Sequence, residues 1–208
     1  MSIRILHSAD WQLGRSFAGL PADKAPLLRE ARFEAVRTLA RLAHQHRAEA
    51  VLVAGDVFDD NLAGSATLAR ALDAMRGFTG PWILLPGNHD AATAASVWTR
   101  LRQQPLPDNL VLALRPEPLT LLDGRLAVLP APLTARRVLD DLTAWMDQAR
   151  SPAGTVRVGL AHGAVAGRLP DQAEASNPIA ADRAERARLD YLALGDWHGM
   201  LEVAPRTW

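Results

Sequence analysis

The sequence predicts an α/β fold in which strands and helices alternate first and hairpin strands follow. Short apolar runs, such as residues 51–54 and 82–85, alternate with segments of helical periodicity. Further on, apolar runs at 110–114, 119–122 and 126–129 crowd together around an Asp123-Gly124 hairpin turn. Every run is short and apolar throughout, as expected of strands covered on both faces. The combination fits a mixed sheet or two packed sheets.

Taken in order, residues 3–7 form a first strand, and a loop bearing Gly14 and Pro26 follows. From 28 to 47 the apolar positions Leu28, Ala31, Ala35, Val36, Leu39, Leu42 and Ala43 recur at helical spacing. Residues 51–54, 66–75 and 82–85 read as strand, helix and strand, and Thr93 is placed to cap a short helix ending before Pro105. After the hairpin strands, 133–148 is again helical in pattern. Residues 156–160 and 191–194 are the last strands, separated by a polar loop over 163–178.

Composition bounds the function. The 208 residues suffice for one sizeable core, and 23 basic residues balance 23 acidic ones. No whole-molecule field therefore selects nucleic acid or membrane. The absence of cysteine excludes disulfides and thiolate metal sites. No secretory signal and no membrane-length apolar run is present, so the expected location is the cytoplasm, without membrane association.

The chemistry gathers where strands end. The first strand runs into Asp10-Trp11-Gln12, the second into Gly55-Asp56 and the third into Gly87-Asn88-His89-Asp90. The later two run into His162-Gly163 and into Gly195-Asp196-Trp197-His198. Ligands of α/β sheets bind beyond the carboxyl ends of the strands. In extended chain, Asp10 and Gln12 share a direction, as do Asp196 and His198. Should Asp10, Asp56 and Asp196 converge, three carboxylates cannot all stay ionised without cations, and oxygen and imidazole donors suit Mn²⁺. His44 and His46 lie two apart on a helix and read as surface residues, and His7 reads as a packed, hydrogen-bonded histidine.

The ordered blocks HSADWQLGR, LVAGDVFD, LPGNHD, LAHG and LALGDWH resemble the calcineurin-like metallophosphoesterases, and the first two look most like the DNA-repair exonuclease branch of SbcD-type nuclease subunits. The resemblance implies a four-layer α/β/β/α sandwich with mixed sheets, spanning 1–208 as one nuclease core without the final strands or a capping domain. It implies a two-metal site, usually with manganese. Asp10 and His198 would bind the first ion, Asp56 would bridge, and Asn88 and His162 would hold the second. His89 would face the phosphate as acid or stabiliser, and Asp90 would brace the turn. Gln12 stands where the family usually has histidine, and Asp196 where it has the first histidine of the last block. Gln12 offers a weaker carbonyl ligand, and Asp196 adds one negative charge.

A metal-dependent phosphodiester hydrolase, exonuclease-like and using water activated between two metals, is the first functional reading. Its partner would be DNA, with Arg15 and Arg168 as loop contacts to the backbone and an ABC-type ATPase subunit engaged through a segment not present here. A homodimer is compatible with it. The alternatives are a small-molecule or nucleotide phosphodiesterase on the same fold, and a catalytically degraded module that binds DNA or a partner. The extra carboxylate is expected to tighten metal retention. Asp196→His should therefore bind manganese less tightly than wild type in a metal titration, and equal or tighter binding would remove the charge argument.

Overall fold

Alternation of side chains along each strand decides the layering. In the computed structural model, which describes residues 2–165 and 177–208, the chain begins with β1 (Ile5–Ser8), α1 (Lys24–Gln45), β2 (Ala50–Val53), α2 (Ser65–Met75), β3 (Trp82–Leu84), α3 (Val97–Leu101) and β4 (Leu110–Leu112). It continues through β5 (Leu119–Leu121), β6 (Leu126–Ala131), a 3₁₀ turn (Ala144–Asp147), β7 (Val156–His162), β8 (Ala164–Val165), β9 (Pro178–Ile179), α4 (Arg183–Arg186) and β10 (Tyr191–Gly195). Strands β1-β2-β3-β4 make one parallel sheet. A second sheet, in the order β10-β7-β6-β5, is parallel except for the β5–β6 hairpin, and β8 and β9 form a small parallel pair.

Val51, Val53, Trp82 and Leu84 point one way, onto Phe33, Val36, Ala40 and Ala43 of α1 and Leu68, Ala71 and Met75 of α2. Their neighbours Leu52, Ala54, Ile83 and Leu85 point the other way and meet Leu126, Val128, Val158 and Leu160 of the second sheet. The far face of that sheet, with Ala127, Leu129 and Leu192, is covered by Met146 and by Ala184 and Leu189 around α4. These three apolar interfaces separate four layers, α/β/β/α. Each fully buried Leu, Val or Ile side chain contributes about 1.5–3 kcal/mol.

Three expected elements differ. The first long helix starts at Lys24, ahead of its expected start at 28, and takes Pro26 into its first turn. The amides there have no intrahelical partner to lose. Thr93 does not cap α3, whose N-cap is Ser96; the first helical amide, Val97 N–H, donates instead to Asn61 Oδ1 at 2.9 Å. The helix expected over 133–148 is reduced to the 3₁₀ turn. Asp141 accepts from Thr143 N–H (2.8 Å) through one oxygen and from Ala180 N–H (2.9 Å) and Arg183 (2.8 Å) through the other. That side chain offers the backbone an alternative to helix. The buried Arg183, also paired with Asp147, ties this turn to α4 and was not singled out by the sequence.

At the carboxyl ends of the strands the two sheets come very close. A Cβ built on Gly195, at the end of β10, would lie 2.0 Å from the Ala54 carbonyl oxygen and 2.8 Å from both Ala9 Cβ and His162 Nδ1. Beside it, His7 on β1 crosses to the other sheet. Its Nε2–H donates to the Leu194 carbonyl (2.9 Å), and Tyr191 Oη lies 3.0 Å from Nδ1. Burial pushes the His7 pKa down to about 4, so the ring is neutral and packed as expected. Gly195→Ala must spread the sheets, and by the usual cost of overpacking it should lower unfolding free energy by about 1–3 kcal/mol in urea denaturation. Unchanged stability would show that the approach is slack.

Candidate metal centre

The backbone turns sharply wherever a carboxylate leaves its strand. Asp10 (φ 56°), Gln12 (φ 45°), Asp56 (φ 52°) and Asp196 (φ 100°) all adopt left-handed conformations, not the extended chain that the i, i+2 spacing suggested. Asp and Asn tolerate this region better than other side-chain-bearing residues. The turns are locked by backbone bonds from Asp10 N–H to the Gly55 carbonyl (3.1 Å) and from Gln12 N–H to the Asp56 carbonyl (2.8 Å). The loops after β1 and β2 therefore descend together.

Asp10, Asp56 and His162 each present a ligand atom, all within 4.8 Å of one another. Asp56 and His162 are buried and Asp10 is half-buried. His162 Nδ1–H donates to the Ala54 carbonyl at 2.8 Å, which fixes the tautomer and leaves Nε2 facing Asn88 Oδ1 at 2.9 Å and Asp56 Oδ1 at 3.5 Å. With a neutral ring this sets lone pair against lone pair, a conflict that a cation or a proton removes. Asp196 reaches the same centre: its Oδ1 is 3.7 Å from His162 Nε2, and its N–H donates to Asp10 Oδ2 at 3.2 Å. His198 is exposed, with Nε2 3.8 Å from Asp10 Oδ1.

Asp10 Oδ1 is buried without a hydrogen-bond partner among the described residues. Burial pushes the Asp10 carboxyl up from its ordinary range, opposed by the neighbouring His162. An orphaned carboxylate oxygen, an imidazole lone pair and an amide oxygen facing one point suit a divalent cation, and the donor chemistry fits. No substituent is tolerated beside it, because a Cβ at Gly87 would lie 2.1 Å from Asp56 Oδ1.

The other candidates divide. His89 N–H donates to Asp56 Oδ1 (2.9 Å), and its Nδ1–H donates to the Asp59 carbonyl (2.8 Å), leaving Nε2 without a protein partner among the described residues. Asp90 braces the turn: fully buried, it accepts from Gly87 N–H (2.7 Å) and Phe58 N–H (3.0 Å). Gln12 is buried, and its Oε1 accepts from Arg15 at 2.6 Å. Arg168 lies outside the described residues. His44 and His46 are exposed on α1 and its C-cap. Beside the centre opens a cleft of about 640 Å³ lined by Asp10, Gln12, Arg32, Trp197 and His198, among others. Arg32 was not singled out by the sequence, since a helical arginine gives no signal of what loop folds over it. No helix among the described residues is long and apolar enough to cross a membrane.

The sequence matches the family described as calcineurin-like phosphoesterase over residues 3–200. The SbcD subunit of nuclease SbcCD from Escherichia coli K12 is 37% identical over 93 residues, 43% of this chain and 22% of that protein. The protein of the same name from Escherichia coli O157:H7 matches to the same extent. The match thus spans about a fifth of the length of these relatives.

Burial raises the carboxyls of Asp10 and Asp90, the latter from 3.8 to about 7. As pH rises through that window the unfolded chain ionises first, so the folded metal-free protein loses stability. Cation binding requires Asp10 ionised. The melting-temperature gain from saturating Mn²⁺ should therefore be larger at pH 8 than at pH 5 in a thermal-shift titration. A gain that is equal or larger at pH 5 would contradict this.

Proposed function

The chain belongs to the calcineurin-like phosphoesterase family, a metal-dependent hydrolase family, and from that premise we propose that it is a nuclease cleaving DNA phosphodiesters. The observation that carries the reading is Asp10 Oδ1, buried without a hydrogen-bond partner among the described residues, beside Asp56 and His162 and joined by Asp196, Asn88 and His198. We assign these residues to two divalent cations, manganese foremost: Asp10 and His198 to the first, Asn88, His162 and Asp196 to the second, with Asp56 between. Gln12 keeps one oxygen lone pair for the first site beside its bond to Arg15. Bound cations would activate water and neutralise charge on the phosphoryl oxygens.

The chain's own residues do the rest. Asp56 holds the turn at His89 through a backbone bond, so metal ligand and acid are set by one side chain. His89, anchored through Nδ1, keeps Nε2 for the leaving oxygen or for charge developing on the phosphate. The likeness to a nuclease subunit supports nuclease action and a partner subunit. DNA as the substrate, an ABC-type ATPase as that partner and a cytoplasmic setting are part of this proposal. The balanced charge, 23 basic against 23 acidic residues, favours a second reading as a phosphodiesterase of small esters or nucleotides.

Labelled duplex DNA, a cyclic nucleotide and bis(p-nitrophenyl) phosphate, each assayed with Mn²⁺, Mg²⁺, Fe²⁺ and Zn²⁺, separate the two. DNA should be cut, fastest with Mn²⁺, and His89→Ala should cut it about 10²–10⁴-fold more slowly while still binding it. Cleavage of the small esters alone would overturn the nuclease reading.

A further inference from the structure

The loop after Asp10 and the helix beside it bring together a cationic pair that the metal chemistry does not use. Arg15 donates to the buried Gln12 Oε1 at 2.6 Å, and Arg32, on α1, donates to the Trp11 carbonyl at 2.6 Å. Both guanidiniums are thus anchored to the segment that begins at Asp10. They also share one ring: their central carbons lie 5.8 and 5.3 Å from the centroid of Phe17. Phe17 itself is left-handed at φ 54°, uncommon for a bulky residue, and Arg29 donates to the adjacent Ser16 carbonyl at 3.1 Å.

Each guanidinium uses one nitrogen, Nη1, in these bonds, and the remaining donors have no protein partner among the described residues. Neither arginine makes an ion pair within 4.0 Å among the described residues. Asp59 is the acid whose field reaches Arg32, and Arg15 opposes it there. Two like charges gathered on one ring, with their donors open, form a seat for an anion. Arg32 also lines the cleft that contains Asp10 and His198, so the seat adjoins the reacting centre. The same cleft includes the indole of Trp197, 58% exposed. A guanidinium on a groove wall, a second beside it, and an exposed aromatic face are features that single-stranded nucleic-acid sites combine.

We propose that Arg15 and Arg32 hold a phosphate flanking the scissile one, making a nucleic-acid strand, and not an isolated phosphodiester, the substrate class of this centre. The proposal rests on the nuclease reading above. Gln12 is the positioning residue for Arg15, and Phe17 fixes the spacing of the pair.

The test compares wild type with the Arg15→Gln/Arg32→Gln double variant in two measurements. The first is the affinity of a labelled single-stranded oligonucleotide in chelator at several salt concentrations, which needs no hydrolysis. The slope of log K against log salt should become shallower by about one to two in the variant. The second is kcat/KM with Mn²⁺ on the oligonucleotide relative to bis(p-nitrophenyl) phosphate, a ratio that should fall at least about tenfold. An unchanged slope, or equal losses on both substrates, would overturn the seat, the latter showing an effect passed through Gln12 to the centre. If wild type hydrolyses the oligonucleotide while the slope is unchanged, the nuclease reading stands and the seat fails. If the slope falls but wild type never hydrolyses the oligonucleotide, the seat stands and the nuclease reading fails.

Discussion

The contact between Gly195 and the Ala54 carbonyl sets the rest of the structure. Two sheets ordinarily pack about 10 Å apart with side chains between them. Here, at one end, they close until there is no room for a methyl group. That closure brings the tip of β10, which carries Asp196, over the tips of β1 and β2, which carry Asp10 and Asp56. His162 reaches the same place from β7, and its bond to the Ala54 carbonyl makes the contact between the sheets and the orientation of a ligand the same interaction. The apolar layer of Leu52, Ile83, Val128 and Leu160 holds the sheets together, and the polar end fixes how they meet.

Around this end the protein spends buried polar groups in two different ways. His7 and Asp90 are satisfied by the protein: one bonds β10 from β1, the other receives two backbone amides and holds the loop of Asn88 and His89. Asp10 is only half satisfied: one oxygen has no hydrogen-bond partner among the described residues, while burial resists its ionisation. An open, buried carboxylate oxygen beside a second carboxylate and an imidazole suits a cation from outside the chain. Gln12 belongs to the first kind on one side, where it grips Arg15, and borders the second on the other.

Much of this was legible in the sequence because strand ends announce themselves. Asp56, Asn88, His162 and Asp196 each follow a short apolar run, and the runs had to be strands for want of helical length. Asp90 as a brace and His7 as a packed residue were legible for the same reason: turn chemistry and strand register are local. What failed was non-local or conformational. The segment 133–148 has helical periodicity, yet Asp141 finds partners on α4 and before it, at Ala180, that no local pattern reveals. The left-handed turns at Asp10 and Gln12 place the side chains by backbone twist and not by strand alternation. Arg32, on a helix outside the metal blocks, meets the cleft through tertiary contacts with Trp11 and Phe17 that no local pattern reveals.

Cations must meet these side chains if the centre is to work, and anomalous scattering from crystals soaked in manganese tests this most directly. Two peaks are expected at the carboxyl ends of β1, β2, β7 and β10, with Asp56 touching both, Asp10 and His198 on one, and Asn88, His162 and Asp196 on the other. No peak within coordination distance of Asp10, Asp56 and His162, in crystals that take up manganese elsewhere, would contradict it.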